Sequence, residues 1–79
     1  MSESLTEAVV AEIRAEMGRQ GVNGAKLATQ MQVSDMWISR RLKGGVPLTV
    51  ADLERFASAL GVPVSRVIAA AESVLAGAS

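Results

Sequence analysis

Residues 27 to 44 constrain this chain more than any other stretch. The run L-A-T-Q-M-Q-V-S-D-M-W-I-S-R-R-L-K-G reads as two short helices with a tight turn between them. Leu27, Ala28 and Met31 recur at helical spacing before the turn, and Ile38 and Leu42 stand one turn apart after it. Val33 lies between as an apolar plug, and Ala28 is small enough for the second helix to cross close by. Ser34 supplies the cap of that second helix, whose other faces are crowded with basic and polar side chains.

The flanking segments add three more helices. Ser4 followed by Glu7 is a capping box, and Leu5, Val9, Ile13 and Met17 then recur every fourth residue, which predicts helix 1 from Leu5 to Gln20 with Gly21 as its stop. Asn23 caps helix 2, which ends near Met31. After helix 3, the segment Gly44, Gly45, Val46, Pro47, Leu48 is a loop, and Thr49 with Asp52 opens helix 4 in a second capping-box-like start. Leu53, Phe56, Ala57 and Leu60 make the buried stripe of helix 4, and Gly61 stops it. Pro63 opens helix 5, whose apolar face is Val64, Val67, Ile68, Ala71, Val74 and Leu75. The chain is 49% hydrophobic with only Trp37 and Phe56 aromatic, a balance that favours small packed helices over a sheet. The expected fold is all-α, five helices in one domain over residues 1–79.

Composition narrows the chemistry. With no Cys there is no disulfide framework or thiolate metal site, and with no His the commonest metal ligand and general base is missing. No nucleophile stands beside a base, so the expectation is a protein that is not an enzyme and needs no cofactor or metal. The amino terminus is acidic and no apolar run reaches membrane-spanning length. That points to a cytoplasmic protein without a signal peptide or membrane anchor.

Net charge is zero, but its distribution is uneven. Residues 1–18 carry Glu3, Glu7, Glu12 and Glu16 against Arg14, a net −3. Residues 19–44 carry Arg19, Lys26, Arg40, Arg41 and Lys43 against Asp35, a net +4, and the remainder is nearly neutral. The positive field therefore concentrates on the two-helix segment.

In its spacing L-A-x-x-x-x-V-S-x-x-x-I-S-R, followed by a glycine-bearing loop, residues 27–44 resemble the Cro and phage-repressor branch of helix-turn-helix proteins, the xenobiotic-response-element-like family. The likeness runs from about residue 5 to about residue 70 in helix order and spacing. It implies a lambda-repressor-like DNA-binding domain with the helix-turn-helix at helices 2 and 3, double-stranded operator DNA as partner, and the N-terminal half of helix 3 in the major groove. Two positions depart from the family pattern. Gln32 stands where the family places Gly for a positive φ, at a cost of about 1 kcal/mol. Arg41 stands where an apolar residue is usual. Leu42 takes over the packing, and Arg41 is freed to lie across the DNA backbone beside Lys43.

By position, the resemblance implies that Ser34, Asp35, Met36, Ser39 and Arg40 face base edges. Arg40 can bond guanine O6 and N7 together; the plainer alternative is a solvated helix face. Asp35 either accepts from cytosine N4 or complements the helix N-terminus, and Met36 either touches a thymine methyl or is a bystander. Trp37 either lies along the sugar-phosphate backbone or packs against the loop near Val46. Asn23, Lys26, Trp37, Arg41, Lys43 and the backbone of Gly44 are the expected phosphate contacts. One module reads about four or five base pairs, too few for specificity, so a homodimer on an inverted repeat is expected. Ala71, Val74 and Leu75, the distal part of the helix 5 stripe, are the expected pairing surface. The competing expectations are a protein-interaction module that has lost DNA binding, consistent with zero net charge, and an antitoxin.

Overall fold

In the computed structural model, which describes residues 4–77, the chain forms α1 (Leu5–Gln20), α2 (Gly24–Met31), α3 (Asp35–Leu42), α4 (Val50–Leu60) and α5 (Val64–Gly77). No strand occurs among the described residues. Glu3, counted in the acidic amino-terminal segment, lies outside them.

Three of the four connections use the same three-residue device. Gly21, Gln32 and Gly61 each adopt left-handed backbone, at φ 67°, 59° and 71°, and each is followed by a valine. The valine N–H then reaches back to the preceding helix: Val22 to the Met17 carbonyl at 2.9 Å, Val33 to Ala28 at 3.0 Å, Val62 to Ala57 at 3.0 Å. This ending satisfies carbonyls that a helix C-terminus otherwise leaves open. The residue after the valine begins the next helix. Asn23 Oδ1 accepts from the Lys26 N–H at 2.8 Å, Ser34 Oγ from the Trp37 N–H at 3.0 Å, and the Pro63 carbonyl from Arg66 and Val67. Each valine is partly buried against the core, so it also staples the corner. The left-handed Gln32 is the departure expected from the sequence, and Val33 is the plug.

Capping boxes open α1 and α4, from Ser4 with Glu7 and from Thr49 with Asp52. The α3–α4 loop is held differently: Gly45 and Val46 N–H groups both bond the Arg40 carbonyl, at 2.8 and 3.2 Å. The core gathers around Phe56, Leu27 and Ile13, with Leu53, Leu60, Ile38, Leu42, Met31 and Val67 about them. α1 and α5 form the most extensive helix pair, and α5 turns back from α4 by 109°.

Two expectations need correction. Leu5 is 42% exposed, because the first turn of α1 overhangs the core edge, and Ala8 and Val9 are the first buried residues of the helix. Ala71 does not belong to an external pairing surface. It is 0% exposed, a core residue whose methyl-sized side chain suits a crowded helix contact. Leu75 is partly buried against the same core, and only Val74, at 51% exposed, faces outward.

Candidate nucleic-acid interface

α2 and α3 pack through Leu27, Ala28 and Met31 on one side and Ile38 and Leu42 on the other, all buried. That burial settles which face of α3 turns outward. Ser34, Asp35, Met36 and Arg40 are exposed, Met36 at 59%, and Ser39 is half-buried. Ser34 already caps α3 with its oxygen, leaving its hydroxyl proton to donate. Asn23 likewise uses Oδ1 to cap α2 and keeps its amide N–H groups. Asn23, Lys26, Lys43 and Gly44 are exposed around the two helices, Gly44 at φ 85°.

An open cleft runs between the start of α2 and the outer side of α3, lined by Gly24, Ala25, Asp35, Ser39, Lys43 and Arg14. Arg14 is the member not anticipated from sequence. Its Nη2 and Nε donate to the Leu42 carbonyl at 2.7 and 3.3 Å, placing a cation on the C-terminal end of α3 where the helix dipole favours one. Nothing local in the sequence signals this, since the two residues lie 28 positions apart.

The other surprise is how many cations are held internally. Arg19 bonds Glu12 and Glu16 on its own helix, and Arg66 stands 4.0 Å from Glu16. Gln20 links the same carboxylate to the Leu60 carbonyl at the end of α4. Bonds from Gln20 and Arg19 hold the Glu16 carboxyl below its ordinary pKa, burial opposing them. Arg55 Nη2 donates to the Met31 carbonyl at 3.2 Å, closing the end of α2.

Arg41 and Trp37 require correction as phosphate contacts. Arg41 does not lie free across the backbone-facing surface: its Nε donates to Asp52 Oδ2 at 3.1 Å and its Nη1 to the Trp37 carbonyl at 3.3 Å. The register of α3 explains this, because residues 37 and 41 lie one above the other on the face that meets α4. Trp37 is turned to the same face. Its ring lies 5.6 Å from Phe56, with the Arg41 guanidinium carbon 3.8 Å and the Arg55 carbon 5.0 Å from its centroid. Its packing partners are therefore Phe56 and two arginines. Burial works against ionisation of Asp52, but the bonds from the Thr49 N–H, Arg41 and the Thr49 hydroxyl prevail and hold its carboxyl below the ordinary range.

Lys26, Arg40 and Lys43 remain as the cations that form no ion pair or side-chain hydrogen bond with another described residue. All three lie on or beside α2 and α3, so the charge available to a ligand is smaller than the net +4 of the segment and is confined to it. Among the described residues no group of His, Cys, Asp or Glu could hold a metal ion, and no single helix is long and apolar enough to cross a membrane.

No curated protein sequence matches the chain. Two crystal structures of ClgR, the clp gene regulator of Corynebacterium glutamicum, are similar to it. One is 27% identical with a TM-score of 0.83, covering 94% of this chain and 96% of that one. The other is 28% identical with a TM-score of 0.84, covering 96% and 81%. A family model described as a helix-turn-helix domain matches residues 8–69, a span that takes in α2, the left-handed turn at Gln32 and α3. The chain belongs to the helix-turn-helix domain family.

Proposed function

We propose that this protein is a sequence-specific DNA-binding transcriptional regulator that acts by occupying an operator, in the manner of a Cro-like or phage-type repressor. The observation that carries the reading is the arrangement of α3. Its apolar side is buried, its outward side presents Ser34, Asp35, Met36, Ser39 and Arg40, and the uncommitted cations Lys26, Arg40 and Lys43 lie on and beside it. That is a polar, base-reading face bordered by phosphate-binding charge. Arg40 reads guanine, while Asn23, Lys26, Lys43 and the Gly44 backbone fix the helix on the phosphates. The similarity to ClgR, a gene regulator, supports the assignment.

One α3 carries too little information for a genomic site, so the protein binds as a symmetric pair with half-site centres about 34 Å apart. Val74, exposed on α5, is the pairing residue of this proposal. The test is selection from random duplexes, with the mass of the bound species measured alongside. An enriched inverted repeat bound by two copies is the expected result. Failure to enrich any sequence overturns the proposal, and an enriched single half-site bound by one copy overturns the pairing.

A further inference from the structure

Arg41 is the one cation of α3 whose charge is held away from the exposed side of the helix. Its guanidinium bonds Asp52 Oδ2 and the Trp37 carbonyl and stacks over the indole, and the Arg41 and Asp52 side chains keep only 18% and 12% of their exposure. The same Asp52 oxygen accepts the Thr49 N–H at 3.1 Å. The carboxylate is thus anchored to the start of α4 independently of the arginine. An apolar residue at position 41 could pack on Trp37 as well, and a half-exposed or buried ion pair adds little net stability over such packing. What the pair does that packing cannot is pin a long cationic side chain in one place. Arg41 also borders the cleft lined by Lys43, Gly44 and Glu7, and Glu7 already accepts the Ser4 N–H in its capping box, so a released head has open space beside the expected phosphate contacts.

We propose that Asp52 is a specificity-determining positioning residue: by holding the Arg41 guanidinium on Trp37 it keeps that cation off the DNA backbone and fixes α3 to α4. The inference rests on the DNA-binding reading above. A freed Arg41 finds a phosphate on any sequence, which raises random-sequence affinity. An α3 no longer tied to α4 seats less closely on base edges, which lowers operator affinity. The ratio between the two falls from both ends.

The experiment measures binding to a mixed-sequence duplex, and to the duplex selected by the unmodified protein, between about 50 and 200 mM salt. The proteins are the unmodified chain, Asp52→Asn, Arg41→Gln and the double variant. Asn keeps an oxygen for the Thr49 N–H and removes the charge that holds Arg41. For Asp52→Asn the slope of log affinity against log salt on mixed-sequence DNA should steepen by about 0.9 per protomer, equivalent to about 3.5-fold in affinity across that range. Preference for the selected duplex should fall at the same time. Arg41→Gln should leave the slope unchanged, and the double variant should return to it. Trp37 is the only tryptophan, so its emission should change in both single variants without DNA, reporting loss of the guanidinium stack. The inference is overturned if Arg41→Gln alone flattens the slope by about 0.9 per protomer, since Arg41 is then already on a phosphate. That arm decides the matter even if Asp52→Asn fails to fold. A folded Asp52→Asn with the original slope overturns it too. Absence of duplex binding by the unmodified chain would instead remove the DNA reading itself, and this inference with it.

Discussion

Replacing Gln32 by Gly should stabilise the protein by about 0.5 to 1 kcal/mol. Gln32 sits at φ 59° and ψ 43° and is the one non-glycine residue with positive φ among those described. Its side chain is exposed and forms no hydrogen bond with another described residue, so truncation removes no contact. Left-handed backbone costs an L-residue about 1 to 2 kcal/mol, and the greater freedom of glycine in the unfolded chain returns about 0.5 to 1 of that. For a domain of this size the difference raises the unfolding midpoint by about 2 to 8 °C. Far-UV circular dichroism on heating measures it, with Gln32→Ala as the variant that keeps the strain. Gly61→Ala is the mirror test. It has φ 71° and nothing within 4 Å of the position a Cβ would take, so its expected loss of about 1 kcal/mol is conformational and owes nothing to a clash. The bonds from Gln32 and Val33 N–H groups to the end of α2 persist in Gln32→Gly, so duplex binding should not change. A lowered midpoint for Gln32→Gly, or an unchanged one for Gly61→Ala, would refute the claim that backbone strain at this turn is the governing term.

Arg40→Ala should relax preference at one position per half-site, whereas Lys43→Ala should weaken selected and random duplexes by equal factors; equal losses in both variants would make Arg40 a phosphate contact. Of eight Lys and Arg, five are held by intramolecular hydrogen bonds or ion pairs, so a pair presents six free cations; with the two Arg40 copies on guanine, four are left for phosphates and log affinity should fall with log salt at a slope of about −4. A slope near zero would exclude DNA as the partner. Glu16 and Asp52 have folded pKa values below their ordinary 4.5 and 3.8, so the stability they contribute is complete above those values and lost as pH falls through the depressed folded ones. Melting should therefore be flat from about pH 7 to about pH 5 and drop below it, and Glu16→Gln and Asp52→Asn should blunt that drop; variants as acid-sensitive as the parent would sink the assignment. Val74→Asp should change stability by less than about 0.5 kcal/mol while abolishing cooperative operator binding, and retention of cooperativity would place the pairing surface elsewhere.

The helices were legible because their ends are written in local chemistry. Ser4 with Glu7, Asn23, Ser34, and Thr49 with Asp52 each satisfy N–H groups within three residues, a range over which sequence order and spatial order coincide. The left-handed endings at Gly21, Gln32 and Gly61 are equally local. Periodicity alone does not distinguish a long apolar stripe from a surplus one. Ala71 extends the α5 stripe beyond what a five-helix core was expected to need, yet it is wholly buried. Leu5 fails in the opposite direction. It has the correct spacing for the buried face of α1, but it lines an open cleft with Val50, Leu53 and Ile68 and stays 42% exposed.

The binding surface was legible only in part, for a reason of a different kind. Exposure of Asp35, Met36 and Arg40 follows from the burial of Ile38 and Leu42, and one helical wheel contains both facts. The fate of a cation does not follow from its own helix. Arg14, Arg41 and Arg55 end on acceptors 28, 11 and 24 residues away, and nothing in the periodicity of either segment distinguishes an arginine that will reach phosphate from one that will reach Leu42, Asp52 or Met31. Asp52 was the hardest to see because a complete explanation for it was already present in the capping box it shares with Thr49. One oxygen carries both roles, accepting the Thr49 N–H and the Arg41 Nε. A residue with a sufficient local reason to be acidic thus also holds one of the two arginines of α3, 11 residues away.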